Sequence, residues 1–177
     1  MKKFELTSEF ITNIFGTKLF RIKALIEFGN VKAGELGGFV EKEENLNHEG
    51  NAWVYGNAEV YGNARVYGNA SVCDDARVYG NASVYGNARV CGDARVCGDA
   101  RVYGNADYAT VHGFGSEYRT TTFFKTKAGE IGVRCGCFYG NLSEFRKKVV
   151  ETHGETKKAK EYLMLADLME FRFSDNS

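Results

Sequence analysis

Between Ala52 and Ala106 the apolar and polar positions recur every six residues without insertion: VYGNAE VYGNAR VYGNAS VCDDAR VYGNAS VYGNAR VCGDAR VCGDAR VYGNA. A short fixed period marks stacked equivalent units rather than a single globular core. In a stretch such as Ala64-Arg65-Val66-Tyr67, side chains on an extended chain alternate faces. Alanine and valine then share one side, and arginine and tyrosine share the other. Gly68-Asn69 supplies a corner, because glycine and asparagine best tolerate the positive φ of a tight bend. A helix is excluded, since a Gly-Asn pair in every unit would place a breaker in each turn and a half.

The pairing of valine with an alanine four residues later, from Val54 with Ala58 to Val102 with Ala106, resembles the hexapeptide signature of left-handed parallel β-helices. That resemblance implies a mainly β solenoid with three flat faces and three hexads per coil, wound against the usual right-handed crossover preference. Residues one coil apart then lie about 4.8 Å from each other. One face is expected to carry Arg65, Ser83 and Arg101 outward, beside Tyr67, Tyr85 and Tyr103. A second carries Glu59, Arg77 and Arg95 beside Tyr61, Tyr79 and Cys97. The third carries Trp53, Ser71, Arg89 and Asp107 beside Tyr55, Cys73 and Cys91. Asn69, Asn87 and Asn105 are expected to form an amide ladder at one corner. Both ends of so short a stack need caps.

The flanks supply candidates for those caps. Residues 2–26 alternate apolar and polar side chains, with Phe4, Leu6, Phe10, Ile14, Phe15, Leu19, Ile22 and Leu25 divided by a Gly16-Thr17 turn signal, which predicts an amphipathic β-hairpin over the first coil. Counting back from Ala52 in sixes reaches Leu46 and Val40, so the solenoid is expected to begin near Gly38. Phe28, Val31-Lys32-Ala33-Gly34, Gly37-Gly38-Phe39, Leu46, and Gly50 ahead of Ala52-Trp53 resemble the opening segment of YdcK-like β-solenoid proteins. The same run is similar to small phage and prophage proteins that join such a segment to VYGNA repeats. After Asp107 the period decays, with a boundary expected near 113–116. YRTTTFFKT and IGVRCGCFYG around the Lys127-Ala128-Gly129-Glu130 turn predict a second hairpin. NLSEFRKKVVETHG predicts a helix with Asn141 or Ser143 as N-cap and Gly154 as its stop. Residues 156–171 predict another, with Ala159, Tyr162, Leu163, Ala166 and Met169 on one face. The expected organisation is a cap and lead-in over 1–37, a solenoid over 38–113 and a small ββαα domain of α+β type over 114–177. Within the last part, the GCF and ETHG strings (Gly136 to Phe138, Glu151 to Gly154) are similar to a tail segment of phage proteins.

Charge excludes little, since 23 basic and 23 acidic residues balance to a formal zero. There is no global drive toward nucleic acid or anionic membrane. The basic start MKKFELTSEF runs into polar residues without an apolar signal core, and no apolar run reaches the roughly 18 residues of a membrane span. A cytoplasmic protein is expected, in the host cytoplasm if phage-encoded. Five cysteines, three of them at a repeat position otherwise held by tyrosine, predict reduced thiols rather than a disulfide framework. Cys135-Gly136-Cys137 would share one strand face, but no second Cys/His pair has zinc-like spacing, so no metal and no cofactor are expected. His153 suits the negative end of a helix dipole.

Hexapeptide solenoids resemble many acyltransferases, which use a histidine as general base between neighbouring solenoids. Here the only solenoid histidines are His48 at the start and His112 at the exit, and no inserted loop builds an acceptor pocket. No catalytic residue is assigned, and an acyltransferase stays as an alternative, as does a self-assembling scaffold. The arginine and tyrosine positions could stack rings, hold phosphates or anchor a protein, against the plainer role of cross-strand pairing. Arg65, Tyr67, Tyr85, Arg101 and Tyr103 form the candidate binding face, because tyrosine yields to cysteine on the other two. The expected function is a non-catalytic phage-type binding module, inhibiting or sequestering a host defence macromolecule. The expected partner is a host protein, with nucleic acid or nucleotide left open, no membrane, and a possible homo-oligomer.

Overall fold

The computed structural model describes residues 1–174. The chain begins with an antiparallel hairpin, β1 (Phe4–Thr12) and β2 (Lys18–Ala24), followed by β3 (Leu36–Val40), which pairs antiparallel with β2. Nine two-residue strands follow at six-residue intervals: β4 (Trp53–Val54), β5 (Glu59–Val60), β6 (Arg65–Val66), β7 (Ser71–Val72), β8 (Arg77–Val78), β9 (Ser83–Val84), β10 (Arg89–Val90), β11 (Arg95–Val96) and β12 (Arg101–Val102). Each pairs in parallel with the strand 18 residues away, giving ladders β6-β9-β12, β5-β8-β11 and β4-β7-β10. This is the three-sided solenoid that the period predicts, with the three faces composed as expected at these strands.

The alternation produces the core. Every hexad valine from Val54 to Val102 and every alanine from Ala52 to Ala100 is buried to 1% exposure or less. The corner glycines from Gly56 to Gly98 have φ between +59° and +69°. Their asparagines pair along the axis, Asn63 Nδ2 to Asn81 Oδ1 and Asn69 Nδ2 to Asn87 Oδ1, both at 3.2 Å. Asn105 does not continue the ladder. It lies in a 3-10 turn that ends the solenoid, and its Oδ1 accepts from the Arg89 amide at 2.8 Å. Asp107, expected on the third face, sits in that same turn and accepts from the amides of Tyr103 and Gly104.

The first coil is longer than the rest. Val40 pairs with Val60 and Leu46 with Val66, a spacing of 20 residues, whereas Trp53 pairs with Ser71 at 18. Two extra residues between Leu46 and Trp53 therefore place Val40 and Leu46 in the valine columns, not in the alanine columns that counting back in sixes gives. Gly38 stands in the alanine column, where a Cβ would come within 2.6 Å of the Ala58 carbonyl.

Both caps are built from bulky side chains. The hairpin extends the β3-β5-β8-β11 sheet by two antiparallel strands rather than lying across the coil. Phe4 and Phe28 close over Trp53 at ring distances of 6.2 and 5.3 Å. Trp53, expected outward, is thus fully buried. The fully buried Lys3 donates from Nζ to the carbonyls of Ala52 (2.8 Å) and Gly50 (3.3 Å), and burial lowers its pKa to about 8. The apolar residues at the hairpin tip, Ile14 and Phe15, stay exposed.

At the far end, β13 (Tyr108–Phe114), β14 (Arg119–Lys125), β15 (Ile131–Cys135) and β16 (Phe138–Asn141) form an antiparallel sheet carrying α1 (Leu142–His153) and α2 (Lys157–Phe173). There are four strands where the sequence suggests two. β13 takes up residues expected to trail off from the solenoid, and Gly136, at φ +58°, folds IGVRCGCFYG into two strands. Cys135 ends β15 and Cys137 lies in the turn itself, so the two do not share a strand face. β14 crosses the open coil: Phe124 joins the solenoid core, Thr122 Oγ1 accepts from the Arg95 amide at 2.9 Å, and Lys127 donates to the Asp99 carbonyl at 2.8 Å. Asn141 caps α1, accepting from the Glu144 amide while the Glu144 carboxylate accepts from its own. Of the predicted α2 face, Ala159, Tyr162, Ala166 and Met169 are buried and Leu163 is half-buried at its edge.

Candidate functional site

Strand alternation turns Arg65, Ser83 and Arg101 outward on the β6-β9-β12 face, and the tyrosine that follows each valine stands beside them. Tyr67 and Tyr85 stack with ring centroids 5.0 Å apart and planes 7° apart. Tyr103 breaks the stack, meeting Tyr85 edge-on at 5.2 Å and 63°, because the chain leaves the solenoid at Gly104 and its ring lies over the Gly86 corner. It is 62% exposed. Arg101 donates to Ser83 Oγ at 3.2 Å. Neither Arg65 nor Arg101 has a carboxylate partner among the described residues. The five residues expected to form a binding face thus share one sheet, bordered by a groove that includes Asn47, Asn63 and Asn81.

The β5-β8-β11 face differs because both flanking parts of the chain reach it. Tyr61 and Tyr79 stack at 5.0 Å with planes 3° apart. The hairpin tip and Arg134 of β15 enclose a cleft of about 170 Å³ with them. The Arg134 guanidinium lies 5.9 Å from the Tyr79 ring. Arg77 pairs with Glu59 at 3.6 Å. Burial raises the Tyr61 phenol, and the positive charges of Arg77, Arg95 and Arg134 oppose that shift. Burial also raises Tyr79.

On the third face Cys73 is buried, and burial raises its thiol against the opposing influence of Arg89. The Tyr108 hydroxyl donates to the Arg89 carbonyl at 2.6 Å and lies 3.9 Å from Cys91 Sγ. Burial, with Cys91 beside it, pushes that phenol up to about 12. Asp74 replaces the corner glycine here, at φ +59°, and its Oδ2 accepts from the Gly92 amide at 3.0 Å. Ligand-capable atoms of Cys73, Asp74 and Cys91 lie within 4.8 Å of one another. They are the group on this face that a cation could bridge, although the Arg89 guanidinium beside both thiols already brings positive charge there.

A cavity of about 300 Å³ opens in the C-terminal part, where Phe114, Phe145 and Val149 meet Arg119, His153 and Tyr162. Tyr162 is held by packing: its ring stacks on His153 at 5.8 Å and crosses Phe145 at 5.7 Å, and its hydroxyl lies 3.8 Å from Cys135 Sγ. His153 therefore packs as well as ending the helix. The histidines weighed as a catalytic base are also engaged. His48 Nδ1 accepts from the Lys3 amide at 3.1 Å while its ring stacks on Phe4. His112 is 2.9 Å from Thr120 Oγ1.

Sequence reasoning passes over Lys3, Arg134 and this cavity. Lys3 sits in a basic start with no local sign of burial. Arg134 follows strand alternation from the buried Val133, but nothing in its neighbourhood identifies Tyr79 as its contact.

A capped three-sided parallel β-solenoid, with a small sheet and two helices closing one end, is the class that these observations define. The coils are similar to the family described as YdcK beta solenoid repeat, which matches residues 58–74, 70–86, 76–92 and 94–106. No curated protein matches the chain. No helix among the described residues is long and apolar enough to cross a membrane.

Proposed function

We propose that the chain is a non-catalytic binding module of phage or prophage type, which holds a host protein against the β6-β9-β12 face and so inhibits or sequesters it. The observation that carries this reading is the pair Arg65 and Arg101, without carboxylate partners among the described residues, beside stacked tyrosines on a face where Arg65 and Tyr103 are exposed. Tyrosine and arginine dominate the energetics of protein interfaces because they bury large rigid groups and still make directed hydrogen bonds. On the β5-β8-β11 face the equivalent Arg77 pairs with Glu59, and the hairpin tip and Arg134 narrow that surface to a small cleft, which leaves less room for a protein partner there.

The test is capture of the partner from host lysate by the wild type and by a Tyr85→Ala, Arg101→Ala double variant. The variant is expected to keep the fold and lose the captured species; unchanged capture would refute the assignment of this face. Titration with acetyl-CoA separates the acyltransferase alternative, since saturable binding at millimolar ligand would favour it over a non-catalytic module. Light scattering that gave a multiple of 19.7 kDa would favour the scaffold.

A further inference from the structure

The cleft on the β5-β8-β11 face has the composition of an anion site. Arg77 and Arg95 occupy equivalent positions on adjacent coils, in direct register across β8 and β11. Like charges facing one another across a ladder are unfavourable unless something neutralises them. Arg134 enters from β15 on the same side, so three guanidinium groups line one cleft with a single carboxylate, Glu59. Glu59 reaches Arg77, while Arg95 and Arg134 have no ion-pair partner among the described residues.

Two buried donors there lack an acceptor. Asn13 Oδ1 accepts from the amides of Phe15 and Thr17, both at 3.0 Å, which fixes the orientation of its amide. Its Nδ2 is then left buried and unpaired, as is Nε of Arg134. A buried donor without an acceptor is destabilising, so two of them beside one cleft call for an acceptor-rich group. At about 170 Å³ the space is smaller than a drug-sized ligand needs, roughly 300 Å³ or more. It suits a compact polyoxyanion head.

We propose that this cleft binds a phosphoryl group, held by Arg95 and Arg134 with Arg77 and the Asn13 amide completing the shell. Three positive charges against one negative leave an excess of two, which matches a phosphate dianion better than a lone carboxylate. Planar guanidinium forks suit its oxygens. The site joins the hairpin tip, the solenoid and the C-terminal sheet, so an occupant would brace all three.

The test is titration of the full chain with inorganic phosphate and with adenosine 5′-monophosphate at constant ionic strength, using chloride as the reference. Thermal unfolding and calorimetry supply the readouts. Saturable binding and a rise in Tm that depends on ligand concentration are expected. Tighter binding of the nucleotide would identify a nucleotide phosphate as the source, and tighter binding of inorganic phosphate the free ion. Arg95→Gln and Arg134→Gln should each weaken binding about tenfold, while Arg95→Lys retains part of it and reports on folding. Arg65→Gln, on a different face, should bind like the wild type, as should the Tyr85→Ala, Arg101→Ala variant, so this site and the protein-binding face can fail separately. Stabilisation that chloride reproduces, or that survives in both glutamine variants, would overturn the proposal. So would the absence of saturation at millimolar phosphate and nucleotide.

Discussion

Gly92 and Gly98 hold the same place in successive hexads and nearly the same backbone, with φ of +69° and +61°. A Cβ on Gly92 would meet nothing within 4 Å, whereas a Cβ on Gly98 would fall inside the Tyr139 phenol. Alanine at either site pays for left-handed φ, about 1–2 kcal/mol. At Gly98 it must also displace Tyr139, whose ring packs on this corner beside the Asp99 backbone and whose phenol is raised mainly by burial. Overpacking of this kind adds about 1–3 kcal/mol. Gly92→Ala is therefore expected to lower the unfolding free energy by about 1–2 kcal/mol and Gly98→Ala by about 2–5 kcal/mol. In urea titrations the two variants should keep the wild-type slope and differ in midpoint. In a Tyr139→Ala background the excess cost of Gly98→Ala should vanish, so a double-mutant cycle isolates the contact. Equal losses for Gly92→Ala and Gly98→Ala in the otherwise wild-type chain would refute the docking of β16 on this corner.

Lys3 gives a pH signature. Its folded pKa of about 8 lies below the unfolded value near 10.4, so between these values the unfolded chain holds a proton that the native chain has released. Stability should rise with pH across that window. Lys3→Met should lose this contribution, and parallel stability–pH curves for variant and wild type would count against a buried ammonium. The raised thiols and phenols, including Cys97 and Tyr61, act in the opposite sense above their ordinary values and are common to both proteins. In the bore, Val78→Ala removes two buried carbons between Val60 and Val96. A loss of about 2 kcal/mol is expected from transfer and the cavity left behind, measured by urea unfolding; a loss near zero would show that the valine column is not close-packed.

The solenoid was legible because its repeat couples three local signals, alternation, corner residues and spacing, and each coil needs only its neighbour. Legibility fails where a contact depends on distant chain. Trp53 occupies an outward position by alternation, and only the arrival of Phe4 and Phe28 buries it. Leu46 has the right character but the wrong column by counting, since the two extra residues before Trp53 leave no mark in composition. Gly136 reads equally well as a strand residue between two cysteines until its positive φ turns the chain. For the candidate face, the grouping of Arg65, Tyr67, Tyr85, Arg101 and Tyr103 follows from the period, but the tilt of Tyr103 does not, because it depends on how the chain leaves the last coil. The cleft around Arg134 was invisible for the same reason: its members come from three parts of the sequence that no shared pattern links.

The fixed coil length makes the chain behave as an indexing shaft. Inserting one hexad would advance everything beyond it by one face, a third of a turn, and carry Arg134 away from Tyr79 and the hairpin tip. Inserting three hexads would restore the angular phase and add only one rung, about 4.8 Å. Repeat number is thus free to change in steps of three without re-aiming the two ends, and any other step rebuilds the surface they share.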